Sequence, residues 1–299
     1  MRKQKERNSI VIIVAYVVLG IISFMCIAPV VLMAVASFTD NDVLNLYGYT
    51  YFPQKWSLEA YEFLIKQGTV ISKSFLNSIL VTFMGTALGI MVTVLLAYTI
   101  SRKELVGRKL IMLFVFFTTL FNGGMVPTYL MYTQIFHIKN TMWALLFPHL
   151  LVNGFNVLLV RTFFNENIPE VLLEAARIDG AGEISIFRNV VLPISKPILA
   201  TIGLLVGVGY WNDWYNGLLF VTDVNYYTLQ NFLNKIMTDL QFLSQNMSAT
   251  SDVNSIIANV PSGTVRMAMA FIGALPVIIV FPFFQKYFTK GITVGAVKE

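Results

Sequence analysis

Five stretches of this chain, residues 10–36, 75–100, 110–136, 141–160 and 267–285, contain no Asp, Glu, Lys or Arg at all. A helix crossing the roughly 30 Å hydrocarbon core of a bilayer needs about 20 predominantly apolar residues, so each run predicts a span. A sixth run, 197–212, is cut by Asp213 and resumes over 214–221, which reads as a span with one charge near its end. A soluble domain is excluded by the remainder: only 12% of the 299 residues are charged, about half the roughly 25% of soluble domains. The expected class is an all-α integral membrane protein with six transmembrane helices.

The formal charge of +5 reads as topology. Placing the N-terminus in the cytoplasm puts 15 of the 21 basic residues inside, including Arg2, Lys3, Lys5, Arg7, Arg102, Lys103, Arg108 and Lys109. Six remain outside, at Lys55, Lys66, Lys73, Lys139, Lys235 and Arg266. This asymmetry satisfies the positive-inside rule with both termini cytoplasmic, N-in and C-in. Trp56, Trp143, Trp211 and Trp214 then fall in or beside the outer interface, where tryptophan anchors. The basic lead and Ala34-Val35-Ala36 imitate a signal peptide, but the apolar run far exceeds the 7–15 residues of such a core and is expected to stay as a helix.

The organisation expected is a cytoplasmic tail (1–9), a first transmembrane helix (10–36), an external loop (37–74), a helical core (75–289) and a cytoplasmic tail (290–299). The core contains a long internal loop, 165–196, and a long external one, 222–265. Cys26 is the one cysteine, so no intrachain disulfide forms. His137 and His149 have no second ligand at metal-binding spacing, and no metal site is expected.

The internal loop carries more charge than its surroundings. Pro169 suits a first helical position and Gly180 a left-handed helix end, which predicts a helix over 169–179. On it Glu170, Glu174 and Arg177 share one face, and Val171, Leu172, Ala175 and Ile178 line the other. A second helix is expected from about Gly182 to Val191, stopping before Leu192-Pro193, with Pro197 opening the next span.

Glu174-Ala175-Ala176, Gly180 and Val190-Val191-Leu192-Pro193 together resemble the EAA motif of permease subunits of ATP-binding-cassette (ABC) importers, with Val190 where isoleucine is common. The longer string Glu174-Ala-Ala-Arg-Ile-Asp-Gly-Ala-Gly182, with Phe187 and Lys196-Pro197, is similar to the carbohydrate-uptake branch. Phe52-Pro53 and Trp56-Ser-Leu-Glu-Ala-Tyr61 are similar to the second permease of maltose-type transporters. Phe121-Asn-Gly-Gly124, Val126-Pro-Thr-Tyr129 and the ending Lys290 to Lys298 resemble the subgroup for complex oligosaccharides or polysaccharides.

The resemblance implies a type I importer permease fold in a bacterial plasma membrane, with 165–196 as the coupling loop. Glu174, Ala175, Ala176, Asp179, Gly180, Leu192 and Pro193 would couple it to cytoplasmic ATPases. Implied partners are a second homologous permease in a heterodimer, two ABC ATPase subunits, an extracellular solute-binding protein and an oligosaccharide, with no nucleic acid. The chain would bind no cofactor directly, since ATP and Mg belong to the ATPases. It has no Gly-Lys pair and hence no phosphate-binding P-loop. No enzymatic activity of its own is expected.

Tyr210, Trp211, Asn212, Asp213, Trp214 and Asn216 form the densest aromatic and amide cluster. It suits a sugar pathway, because rings stack on C–H faces and amides bond hydroxyls, and equally an interface belt. Gly123-Gly124 and Pro127 predict a kink in the third run. Leu229, Phe232, Leu233, Ile236, Leu240 and Leu243 predict an amphipathic helix outside, facing a binding protein or lipid. Two other classes compete. An ion-gradient-driven secondary transporter calls for intramembrane ionisable residues and inverted repeats, and an intramembrane enzyme for a catalytic constellation; neither is evident.

Overall fold

The computed structural model describes residues 2–66, 68–245 and 262–296, with side chains described except at 2–10, 240, 243–245, 262 and 286–296. Residues 246–261 of the second external loop, the ending at Lys298 and the side chains of Leu240 and Leu243 lie outside the described set. The described chain is helical, with one isolated bridge between Thr39 and Trp56 and no strand. It divides into two compact units, Met1–Gly68 with Lys235–Pro276, and Thr69–Asn234 with Val277–Glu299.

In the first unit, helix α1 (Arg2–Ser37) is apolar on every side from Val11 onward, and its large side chains between Val11 and Val31 are exposed. A helix hydrophobic all round has no aqueous face, which suits lipid. Its end is pinned by polar contacts: Ser37 shares a 2.8 Å hydrogen bond with Tyr61, and Phe38 stacks on the Tyr61 ring at 4.8 Å. Asp40 caps helix α2 (Asn41–Tyr47) through the Asp42 N–H and pairs with Lys55 at 2.6 Å. The Lys55 ammonium holds the Asp40 carboxyl below the usual carboxylate range. Helix α3 (Glu59–Lys66) buries Ala60 and Leu64.

The second unit is built on α4 (Gly68–Ser101), which packs closely on α12 (Lys196–Trp211). Small residues permit that approach: Gly85 lies under the ring of Tyr210, and Gly203 faces Ile90. The long helix Ser262–Ala296 runs from the first unit's residues into the second's.

Among the described residues three helices are long and apolar enough to span, Val11–Ser37, Gly68–Ser101 and Gly263–Gln285. Two bent pairs raise this to five if each is one span. The expected kink in the third run is a break: α5 (Arg108–Leu120) and the helical stretch Met125–Ile135 meet at 115°. Gly124, at φ +84°, makes the turn, and Asn122 accepts its N–H. The stretch begins as α6 (Met125–Leu130) and widens into a π-helix, Met131–Ile135.

The run 141–160 is likewise not one helix. After α7 (Trp143–Leu146) the backbone leaves helical geometry until α8 (Gly154–Asn167) begins. Pro148 and a left-handed His149 at φ +63° lie in the gap, and Asn153 caps α8 by accepting from Phe155 and Asn156.

A helix forms where the spacing of Leu229, Phe232, Leu233 and Ile236 predicts one, as α14 (Leu229–Gln245), with Leu229 and Phe232 buried. Its start is tied to α4, where the Leu229 N–H donates to Ser78 Oγ and Asn77 donates to the Asn225 and Tyr227 carbonyls.

Candidate functional site

The charged loop over 165–196 folds as two helices, as its punctuation requires. Helix α9 runs Glu170–Ile178, one residue shorter at each end than expected, with Pro169 just outside it. It ends in a Schellman motif: the Ala181 N–H reaches the Ala176 carbonyl at 2.9 Å, and the Gly180 N–H reaches Arg177 at 3.0 Å. Gly180 has φ +79°, the conformation a side chain resists.

The second helix does not stop before Leu192-Pro193. It starts as α10 (Glu183–Ile186), widens to a π-turn over Phe187–Val191 and continues as α11 (Leu192–Ile194). In an α-helix Pro193 would strike the carbonyl of Asn189 and leave it unpaired; the wider turn just before the proline relieves that conflict. The chain bends at Ser195, whose hydroxyl and N–H both donate to the Val191 carbonyl, and enters α12 at 80° to the preceding helix.

The apolar face of Val171, Leu172, Ala175 and Ile178 on α9 is not turned into the chain: Leu173 is buried, while Val171 and Ile178 are 72% and 85% exposed and Leu172 is also open. Glu174 and Ala175 lie on the open side as well, and Glu174 makes no hydrogen bond or ion pair among the described residues. The exposed side of α9 thus presents a carboxylate without a partner among the described residues beside apolar Val171, Ala175 and Ile178.

Arg177, which shares a face with Glu174, is instead held within the chain. Its guanidinium donates to Glu104 in the loop after α4 at 3.0 Å and to Glu183 in α10 at 3.0 Å. Glu183 also accepts from the Tyr98 hydroxyl at 2.7 Å, Arg102 lies over the Tyr98 ring, and Lys103 pairs with Glu170 at 2.7 Å. Both helices of the loop are thereby fastened to the end of α4. Sequence alone does not single out Tyr98, Lys103 and Glu104, because they lie 67 to 85 residues from Glu183, Glu170 and Arg177 and only the fold brings them together.

The backbone N–H of Glu104 and, after it, the Arg177 guanidinium hold the Glu104 carboxyl below its ordinary range. A depressed folded-state value means that the stabilisation is present above the unfolded carboxylate range and is lost as pH falls through the folded value. With Glu104 mostly exposed, about 0–1 kcal/mol is at stake. Acidification should therefore loosen α9, read as lower protection of the Gly180 and Ala181 amides after correction for the pH dependence of intrinsic exchange, and Arg177→Gln should show that lower protection already at neutral pH. An unchanged exchange rate in the variant would mean that the clamp holds nothing.

The aromatic and amide cluster is split by the fold. Tyr210, Trp211 and Asn216 are buried, whereas Asn212 and Trp214 are exposed and Asp213 lies between. The buried members serve the broken backbone. The Tyr210 hydroxyl donates to the Leu146 carbonyl at 2.7 Å and Asn216 Nδ2 to the Pro148 carbonyl at 2.9 Å, satisfying groups that lost their helical partners. Asp213 accepts from the Asn216 N–H at the start of α13 (Tyr215–Phe220).

A family model for binding-protein-dependent transport system inner membrane components matches residues 85–294. The chain is 34% identical over 292 residues to the polygalacturonan/rhamnogalacturonan transport system permease protein YtcP of Bacillus subtilis (strain 168), covering 98% of this chain and 99% of that one. It is 29% identical over 299 residues to the trehalose/maltose transport system permease protein MalG of Thermococcus litoralis, covering 99% of each. A chain in the crystal structure of a bacterial ABC transporter involved in the import of the acidic polysaccharide alginate superposes with a TM-score of 0.79 at 28% identity, over 94% of this chain and 98% of that one.

Proposed function

Because the chain belongs to the family of binding-protein-dependent transport system inner membrane components, we propose that it is one of two permease subunits of an ATP-driven importer of acidic oligosaccharides. It crosses the plasma membrane six times with both termini inside. A second homologous permease completes the pathway, two ABC ATPases bind ATP and Mg in the cytoplasm, and an extracellular solute-binding protein delivers the sugar. Relatives named for polygalacturonan, rhamnogalacturonan and alginate support the acidic class.

Residues 165–196 couple the ATPases to the pathway. The observation that carries this reading is α9, with its inner side clamped by Leu173 and Arg177 while Glu174, Val171, Ala175 and Ile178 stand open. Ala175 and Ala176 permit close approach of a groove, Glu174 supplies its charge, and Asp179 and Gly180 set the exit of the helix. Leu192 and Pro193 carry the push into α12. On the pathway side the exposed Asn212 and Trp214 and the half-buried Asp213 are the groups placed to meet sugar, with Tyr210, Trp211 and Asn216 supporting them.

Two measurements test this. In a Cys26→Ala background, Gly182→Cys should react with an impermeant maleimide only from the cytoplasmic side; labelling solely from outside in intact cells would invert the topology. The purified single chain in liposomes should take up no oligosaccharide, and uptake without ATPase or second permease would favour an ion-driven carrier instead.

A further inference from the structure

We infer that the cavity lined by Tyr132, Phe136, Phe147, His149, Leu151 and Val152 is a subsite that receives one pyranose ring of the transported oligosaccharide. The inference rests on the importer reading above and adds a place of contact to it. The cavity measures about 490 Å³, within the roughly 300–1,000 Å³ typical of small-molecule sites.

Its position is set by two interruptions. The π-turn Met131–Ile135 contributes Tyr132 and leads into Phe136. The gap between α7 and α8 contributes Phe147, His149, Leu151 and Val152. Both lie within uncharged apolar runs, 110–136 and 141–160, where continuous helix would satisfy every backbone group. Irregular backbone at membrane depth persists only where protein buries it or where it borders a watered cavity, and in transporters such breaks gather at substrate sites.

The backbone accounts are open on the side that matters. Side chains answer the Leu146 and Pro148 carbonyls, whereas the N–H groups of His149, Leu151 and Val152 find no partner among the described residues. All three belong to residues lining the cavity. The His149 imidazole and the Tyr132 hydroxyl also make no hydrogen bond among the described residues. Unpaired donors between aromatic rings suit a pyranose, which offers C–H faces to the rings and hydroxyl or carboxylate oxygens to the donors. A lipid chain would fill the volume and leave those donors unanswered.

The test uses the purified complex of both permeases and ATPases. In a Cys26→Ala background, Val152→Cys, with Phe136→Cys as a second position, is labelled with a soluble maleimide in the presence of a purified oligogalacturonate. The sugar should slow labelling at both positions and leave a control cysteine at exposed Val106 unaffected. Adding Phe147→Ala should raise the half-protecting concentration about tenfold, equivalent to about 1.4 kcal/mol. ATP-driven uptake of the same sugar by the otherwise native complex is measured in parallel. Uptake without protection overturns the subsite and leaves the importer standing; protection without uptake supports the subsite and overturns import of this sugar. Absence of both overturns both, and failure of either cysteine to label marks the volume as lipid-filled or closed by the second permease and overturns the subsite.

Discussion

Glu174→Ala is expected to abolish ATP-driven uptake while the chain remains folded, inserted and paired with its second permease. The residue is exposed and makes no hydrogen bond or ion pair among the described residues, so its loss costs the isolated subunit almost nothing. Across a docked joint the same loss leaves the ATPase's opposing group buried and unpaired, a penalty of about 2–5 kcal/mol. At 1.4 kcal/mol per decade, even the lower end weakens the coupled state about 25-fold. Gly180→Leu should stop uptake by another route. A Cβ there meets open space, so no clash arises, but at φ +79° a branched side chain adds about 1–2 kcal/mol of backbone strain and unravels the bonds that end α9. Gly180→Asn, which tolerates that conformation, should keep most of the activity. Uptake, ATPase pull-down and membrane yield are measured in each; normal uptake in both Glu174→Ala and Gly180→Leu would reduce the loop to an inert hairpin.

Gly85→Leu should have the largest effect on stability. A Cβ at Gly85 already overlaps the Tyr210 ring, and that ring cannot swing aside freely because its hydroxyl holds the Leu146 carbonyl. Overpacking costs about 1–3 kcal/mol, and displacing the tyrosine adds about 1–3 kcal/mol for the abandoned carbonyl. Little intact complex should survive detergent extraction, and Tyr210→Phe, which removes only the hydrogen bond, should show the smaller part of the loss. Gly85→Leu combined with Tyr210→Ala should recover stability relative to Gly85→Leu alone, since the two residues share one contact. A thermal midpoint for Gly85→Leu equal to that of the native complex would refute this packing.

These features differ in how far the amino-acid order announces them. Gly180 and Pro169 bracket α9 because a left-handed terminus and a missing donor are local demands that residue types reveal. The two faces of α9 are legible in its periodicity, but which of them stands open is not: periodicity separates polar from apolar sides, and an exposed apolar side has the same pattern as one turned inward. The gap over 147–153 was hidden for a related reason. In lipid, hydropathy sums the run, and seven irregular residues such as Phe-Pro-His-Leu-Leu-Val-Asn are nearly as apolar as a helix. The Arg177 clamp could not be read either, because Glu104 lies 73 residues away and only the fold brings it near.

Tyr210 and Asn216 are instructive in the opposite sense. Their composition pointed towards sugar, and their side chains are spent on the carbonyls of a broken helix. The cluster therefore supports a site by shaping the neighbouring backbone, and chemistry-bearing residue types alone did not distinguish that from direct contact.

The two π-turns, Met131–Ile135 and Phe187–Val191, set a rule for how this sequence can vary over evolutionary time. Each is a helix carrying one residue more than its hydrogen-bond ladder needs. Deleting a single residue from Phe187–Val191 would let the turn relax to ordinary α geometry without breaking the helix. Everything after it would then turn by about 100°, the angle of one residue in 3.6 per turn. Substitutions there change one side chain, whereas a single codon lost re-aims Pro193 and the start of α12 together, so descendants of this chain should drift in these segments by replacement and hold their length.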